Sequence, residues 1–198
     1  MLKLESYRHT FAAVGLVGVL LIASPTLGWF VHLPSGERFS ELWILGSGHM
    51  AEDYPFNVKT NDSYLVYVGV GNHMGKAAYY AVYVKLRNMT DVLPNLTAGT
   101  SSPLEPLYEY RAFVEDGKAW EDALYFTFSN VTIQNGVAFV KTVSVNGVVL
   151  EVEKSTLWNS NNLGYCFQLF AELWIYNAEA NELQYHNRFV TLMLNMTV

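Results

Sequence analysis

Ala78-Tyr79-Tyr80-Ala81-Val82-Tyr83-Val84-Lys85-Leu86-Arg87 decides the reading of this chain. Its β-branched and aromatic residues suit a pleated surface. Successive side chains of a strand point to opposite faces, so the stretch sorts into two sets. Tyr80, Val82, Val84 and Leu86 share one face; Tyr79, Tyr83, Lys85 and Arg87 share the other. Residues 165–176 repeat the pattern, with Phe167, Leu169, Ala171, Leu173 and Ile175 against Cys166, Gln168, Phe170, Glu172, Trp174 and Tyr176. The first set of each run is expected in a core, and the second set to face solvent, covering loops or a partner.

Working outward, similar runs occupy 41–45, 63–70, 108–114, 124–133, 137–152 and 184–194. Turn residues separate them, and Asn135-Gly136 and Asn146-Gly147 are two-residue hairpin signals. Residues 88–107, with three prolines, and 154–163 read as loops. No segment after residue 40 sustains a helical period. The expected fold is all-β, an immunoglobulin-like antiparallel β-sandwich over residues 39–198. Its outward aromatics Tyr79, Tyr83, Trp174 and Tyr176 are the expected interaction surface.

Composition narrows the function. The 198 residues carry 12 Lys and Arg against 18 Asp and Glu, a net charge of -6. A general nucleic-acid binder needs a basic face instead. Aromatic residues at 15% exclude a disordered chain. A single cysteine, Cys166, excludes an intramolecular disulfide framework and a multi-thiolate zinc site.

From Phe11 to Leu33 there is no Asp, Glu, Lys or Arg. As a helix those residues span about 35 Å, enough for a hydrocarbon core of about 30 Å. A cleaved signal peptide is the rival, but no clean small-x-small site follows the most apolar part. The expected organisation is a cytoplasmic N-terminus (1–10), a transmembrane anchor or uncleaved signal (11–33), a linker (34–38) and the extracellular sandwich. Lys3 and Arg8 on the short side set that orientation. Five Asn-x-Ser/Thr sequons, at Asn61, Asn88, Asn95, Asn130 and Asn195, fit a translocated, N-glycosylated domain.

Candidate chemistry is sparse. Gly69 to Lys76 fails the phosphate-loop spacing. No histidine pair has metal-ligand spacing, although His49, Glu52 and Asp53 could meet His73 in space. The carboxylate pairs at 52–53, 115–116 and 121–122 point to opposite faces of a strand or sit in turns. Cys166 could neighbour His186 on a following strand, yet nothing in the sequence lowers its pKa. No catalytic residue, metal site or cofactor is expected.

Three motifs in order carry a resemblance: Phe39-Ser40-Glu41-Leu42-Trp43-Ile44-Leu45-Gly46, then Met50 to Asn57 around Tyr54-Pro55, then Tyr67 to His73 ending in Asn72-His73. Leu107 to Phe113 and Tyr185 to Phe189 are similar to a subset of the same group. The chain resembles the extracellular domain of archaeal membrane proteins grouped as domain-of-unknown-function family 1616. The resemblance implies an immunoglobulin-like sandwich outside an archaeal membrane and supplies no catalytic residues. Family members often carry several N-terminal membrane helices, whereas this sequence holds one apolar stretch of that length. The expected function is a non-catalytic, single-pass cell-surface binding module whose partner is another protein or a second copy. The alternatives are an accessory subunit of a larger membrane or surface-layer complex and a strand-exchanging filament subunit.

Overall fold

A computed structural model of the protein describes residues 7–30 and 37–197. The chain divides into two units, Met1–Arg38 and Phe39–Val198. Residues 1–6, 31–33 and 34–36, which belong to the expected N-terminus, span and linker, lie outside the described residues.

The first unit holds α1 (Arg8–Phe30), a helix of 23 residues. Phe11, Val14, Leu16, Val17, Val19 and Leu20 are all exposed. An apolar surface on every side of a helix has no aqueous partner face. Counted over the described side chains, which in α1 end at Leu20, no helix is long and apolar enough to cross a membrane.

The second unit is a β-sandwich made from one curled sheet of ten strands. These are β1 (Phe39–Leu45), β2 (Asn57–Val58), β3 (Ser63–His73), β4 (Ala78–Asn88), β5 (Tyr108–Val114), β6 (Lys118–Gln134), β7 (Val137–Val145), β8 (Val148–Asn159), β9 (Gly164–Asn177) and β10 (Glu182–Met196). One layer runs β1-β3-β6-β7-β8; the other runs β5-β4-β9-β10-β2. The end of β8 joins the layers by pairing Trp158 with Tyr165 and Asn159 with Gly164. All pairings are antiparallel except β10 with β2.

The expected faces hold. Tyr80, Val82, Val84 and Leu86 on β4, with Phe167, Leu169, Ala171 and Leu173 on β9, are buried in one core. Val66, Val68 and Val70 on β3, Phe126 and Phe128 on β6, and Val140, Val143 and Val145 on β7 meet them from the other layer. Both Asn-Gly turns form, with φ of 51° and 75° at Asn135 and Gly136 and 47° and 81° at Asn146 and Gly147. Left-handed backbone at both turn positions is what a tight two-residue hairpin needs. The run 137–152 is therefore two strands, and the expected loop at 154–163 is strand as far as Asn159. Its Lys154, Ser155, Thr156 and Leu157 pair with β7, which polar composition had concealed.

Gly69 explains part of the first quoted motif. A Cβ there would lie 2.3 Å from the Trp43 indole, which packs flat across the glycine and donates from Nε1 to Glu121 Oε2 at 2.9 Å. Gly69→Ala should displace the indole and break that bond, costing about 1–3 kcal/mol. Thermal unfolding checks this: a drop of about 2–4 °C per kcal/mol is expected, and an unchanged midpoint would refute the packing role.

Candidate functional site

The outer face of the β5-β4-β9-β10 layer is built by register. Tyr79 lies across from Phe113, Ala81 across from Arg111 and Trp174, and Tyr83 across from Glu109 and Glu172. Trp174 in turn lies across from Tyr185. The four expected aromatics therefore meet: Tyr79 and Tyr176 at 6.3 Å between ring centroids, Tyr83 and Trp174 at 5.3 Å. Trp174 continues to Tyr185 at 5.9 Å. Such tilted contacts lock rings against each other while leaving edges and faces open. Phe113 is 69% exposed and Tyr176 40%; Tyr79, Tyr83 and Trp174 are half-buried. Phe113 and Tyr185 extend the patch beyond the sequence expectation. The alternation Glu109, Arg111, Phe113 against Tyr110, Ala112, Val114 was the available signal for Phe113. Arg111 Nε donates to Glu109 Oε1 at 2.7 Å at the rim. Tyr79 and Glu109 together hold the Arg111 guanidinium further toward its charged form.

The rest of the same face is not solvent. Lys85 and Glu172 are 4% and 0% exposed and pair at 2.9 Å. The segment 88–107 covers them. Ser102 N donates to Glu172 Oε1 at 2.7 Å, and Lys85 Nζ donates to Ser102 O at 2.9 Å. Arg87 Nε and Nη2 donate to the carbonyls of Asn88 and Met89. Lys154 Nζ holds Asp91 at 2.6 Å, and Asn187 Nδ2 donates to Leu96 O at 3.0 Å. The outward placement of Lys85, Arg87, Phe170 and Glu172 is correct, and of the expected alternatives for this part of the face it is a covering loop that meets them. Tyr185 OH is buried beside this carboxylate without a hydrogen-bond partner. Burial first, then the Glu172 charge, pushes its phenol up to about 12.

A second polar group crosses the sandwich. His186 Nε2 lies 3.0 Å from Ser40 Oγ, Ser40 Oγ lies 2.7 Å from Tyr80 OH, and Tyr80 OH donates to Asn72 Oδ1 at 3.1 Å. Asn72 Nδ2 donates to the carbonyls of Lys76 and Val114. With Tyr80 donating to Asn72, the Ser40 proton is directed to Tyr80 and His186 Nε2–H donates to Ser40. A serine nucleophile needs the opposite order, with the imidazole accepting from the hydroxyl. Ser40 is also buried. In this order the chain ties β1, β3, β4 and β10 together across the sandwich. His186 reaches it because β10 loops out His186 and Asn187 between Tyr185 and Arg188. Burial, and then the Arg188 charge, lowers the His186 pKa.

The remaining residues singled out by sequence separate. His49 lies 2.6 Å from Glu121 and stacks on Tyr67, while His73 stacks on Phe39 and lies 3.6 Å from Glu41. No group of three or more His, Cys, Asp or Glu among the described residues could hold a metal ion. Cys166 is buried and faces Asn195 in the β9–β10 register, so His186, near the other end of that ladder, is not its neighbour. The sequons also divide. Asn61, Asn95 and Asn130 are exposed. Asn88 is half-buried, its Nδ2 donating to Ser155 O. Asn195 is 1% exposed, with Nδ2 donating to Asn57 Oδ1 and Asn162 O, which leaves no room for a glycan on that nitrogen in the folded domain.

Residues 33–140 match the family model described as "Domain of unknown function (DUF1616)". No curated protein matches the chain. Among solved structures it is similar to the CARDB domain of the PF1109 protein from Pyrococcus furiosus, solved in complex with di-metal ions (10% identity, 84% of this chain and 94% of that one, TM-score 0.43). It is also similar to a beta-glucosidase from Listeria innocua in complex with glucose (12% identity, TM-score 0.41), covering 81% of this chain and 16% of the glucosidase. A third is a chain of the complex between Zinc 2-glycoprotein and Prolactin inducible protein from human seminal plasma (8% identity, 83% of this chain and 100% of that one, TM-score 0.38).

Two predictions follow from the buried polar groups. Glu172→Gln leaves the Lys85 ammonium buried without a countercharge and should cost about 3–5 kcal/mol. Denaturant titration should show that loss; an unchanged unfolding free energy would refute the role of the pair. His186 has its folded pKa below the 6.5 of the free side chain. As pH falls, the unfolded chain takes the proton first, so the stability present above pH 6.5 is lost through the folded pKa. His186→Asn should flatten that acid limb; identical pH profiles would remove His186 as its cause.

Proposed function

The chain belongs to the DUF1616 family, and we propose that it is a membrane-anchored, N-glycosylated cell-surface binding module without catalytic activity. In this reading the described sandwich is immunoglobulin-like and stands outside an archaeal membrane. The observation that carries the proposal is the division of one sheet face. A loop is fastened over half of it, and the other half keeps the exposed Phe113 and Tyr176 together with the half-buried Tyr79, Tyr83 and Trp174. Contiguous exposed aromatics rimmed by charged residues suit a protein contact, because large rigid rings bury much area at little entropic cost. The partner is another protein or a second copy of this chain.

The anchor is supported by α1, whose backbone is helical over 23 residues and whose described side chains from Phe11 to Leu20 are exposed and apolar. Water is a poor environment for such a surface, whereas a bilayer is a favourable one. Glycans are proposed at the exposed Asn61, Asn95 and Asn130, with Asn88 at a half-buried rim and Asn195 set aside by its burial.

The test uses the full chain extracted mildly from its own membranes. Native-gel migration should show a complex, with itself or with a constant partner. Trp174→Ser with Tyr176→Ser, and separately Phe113→Ser, should return it to the size of one chain while circular dichroism stays unchanged. An undiminished complex in both variants would overturn the aromatic patch as the contact.

A further inference from the structure

β5 (Tyr108–Val114) is the outer strand of its layer. Among the described residues it pairs with β4 alone. One row of its backbone N–H and C=O groups therefore has no ladder partner, and such an edge is a template for another strand. The other edges carry features that blunt them. β8 is bulged opposite Val140 to Thr142 and passes to the second layer at Trp158. β10 is bulged between Tyr185 and Arg188, and β2 pairs with its end. On β1, Tyr54 OH donates to the Ile44 carbonyl, and Ser40 lies buried beside His186. β5 has no Pro or Gly between Tyr108 and Val114, and its register with β4 is unbroken from Ala78 opposite Val114 to Val84 opposite Tyr108. No sequon falls on it.

The outward side chains of β5 are Glu109, Arg111 and Phe113, all exposed. Glu109 and Arg111 are of opposite sign and lie 2.7 Å apart. A second β5 laid antiparallel along this edge, about a twofold axis normal to the sheet, sets each residue against its mirror position. With the axis at Tyr110, Glu109 faces Arg111 of the second copy, and Arg111 faces its Glu109. Opposite charges directly across a ladder attract, and like charges destabilise it. An axis at Glu109 or at Arg111 sets like charges against each other, and one at Ala112 sets Glu109 against Glu115. The backbone selects the same centre. Pro106 has no N–H and ends the ladder on one side; in the Tyr110 register it falls opposite Val114, the last residue of the strand. An axis at Tyr108 would bring Pro106 inside the ladder, opposite Tyr110. In the Tyr110 register Phe113, 69% exposed, falls opposite Leu107 of the second copy.

We propose that β5 is a self-association edge: a second copy of this chain pairs with it antiparallel about Tyr110, with a Glu109–Arg111 ion pair on each side of the axis. The two β5-β4-β9-β10 layers then form one continuous sheet, with both aromatic patches on the same face. The surface goes beyond the ring contact proposed above, because Trp174 and Tyr176 lie on β9, away from the edge. A single strand-to-strand contact is smaller than the roughly 1,200 Å² at which standard interfaces begin. The pair therefore forms as concentration rises and comes apart in a dilute native gel.

The test uses the full chain in mild detergent carrying Trp174→Ser and Tyr176→Ser, so that a ring contact does not contribute. Two pools bear donor and acceptor fluorophores, and energy transfer between them is followed as concentration is raised. Transfer should rise and saturate. Adding Glu109→Arg, or separately Arg111→Glu, should weaken self-association by about tenfold, because both facing pairs become repulsive. Mixed with each other, these two variants should associate as strongly as the parent, since every facing pair is again of opposite sign. That recovery cannot come from the ion pair within one strand, which both variants lack. Circular dichroism should be unchanged, as both side chains are exposed. Glu109→Gln with Arg111→Gln, which keeps the side-chain length, should also weaken association, by a smaller factor. No saturable transfer in the parent, a mixture no stronger than the separate variants, or full association of the Gln variant would overturn the proposal. Each of these results leaves the ring contact standing, and loss of the ring contact leaves the edge standing.

Discussion

The buried pair of Lys85 and Glu172 organises everything that faces outward on this molecule. Two charges this far from water are a net stabilisation only if their remaining hydrogen-bonding capacity is met. Ser102 meets it from both sides, giving its N–H to the carboxylate and its carbonyl to the ammonium. The pair therefore holds one particular backbone position in a segment of twenty residues with no strand longer than a single bridge. Removing the loop would strand the charges, and removing either charge would release the loop. The two are one interaction, and it decides which part of the β9 face stays open to solvent.

A similar economy explains the motif residues that carry the family resemblance. Ser40, Asn72 and His186 come from three separate stretches and meet through Tyr80 in one polar chain between the layers. Each donor has a single acceptor in a consistent order, which is what a low-dielectric interior requires of polar groups. Gly46 and Gly69 serve the same region by omission. A Cβ on Gly46 would meet the Glu52 carbonyl, and one on Gly69 the Trp43 indole. The motifs are legible as the seam where β1 closes on its neighbours. The histidine and serine in hydrogen-bond contact belong to that seam, with Ser40 buried between Tyr80 and His186.

Period two and turn chemistry were enough to sort the core from the outside. The buried faces of β4 and β9 follow from alternation alone, and both Asn-Gly turns from the need for left-handed backbone. What was not legible depends on tertiary coverage. Lys85 and Glu172 alternate outward as a solvent-facing pair would, and only the loop distinguishes burial from exposure. Lys154 to Asn159 read as loop by composition, yet β7 supplies a ladder as far as Leu157 and β9 pairs with the last two residues. Asn195 carries a valid sequon, and its burial is invisible until Asn57 and Asn162 close on it. His186 enters the core through a bulge, which breaks the alternation on which any face assignment rests.

The outward face of β9 shows what the loop decides. Cys166, Gln168, Phe170, Glu172, Trp174 and Tyr176 all point the same way, yet of these six Tyr176 alone is exposed. The fastened segment lies over Glu172 and its partner Lys85, so the face is closed in its middle and opens toward Trp174 and Tyr176. Alternation along the strand assigns all six residues to one face, but coverage decides which of them meet water. The loop thus sets the edge of the aromatic patch, and the buried ion pair beneath it holds that edge in place.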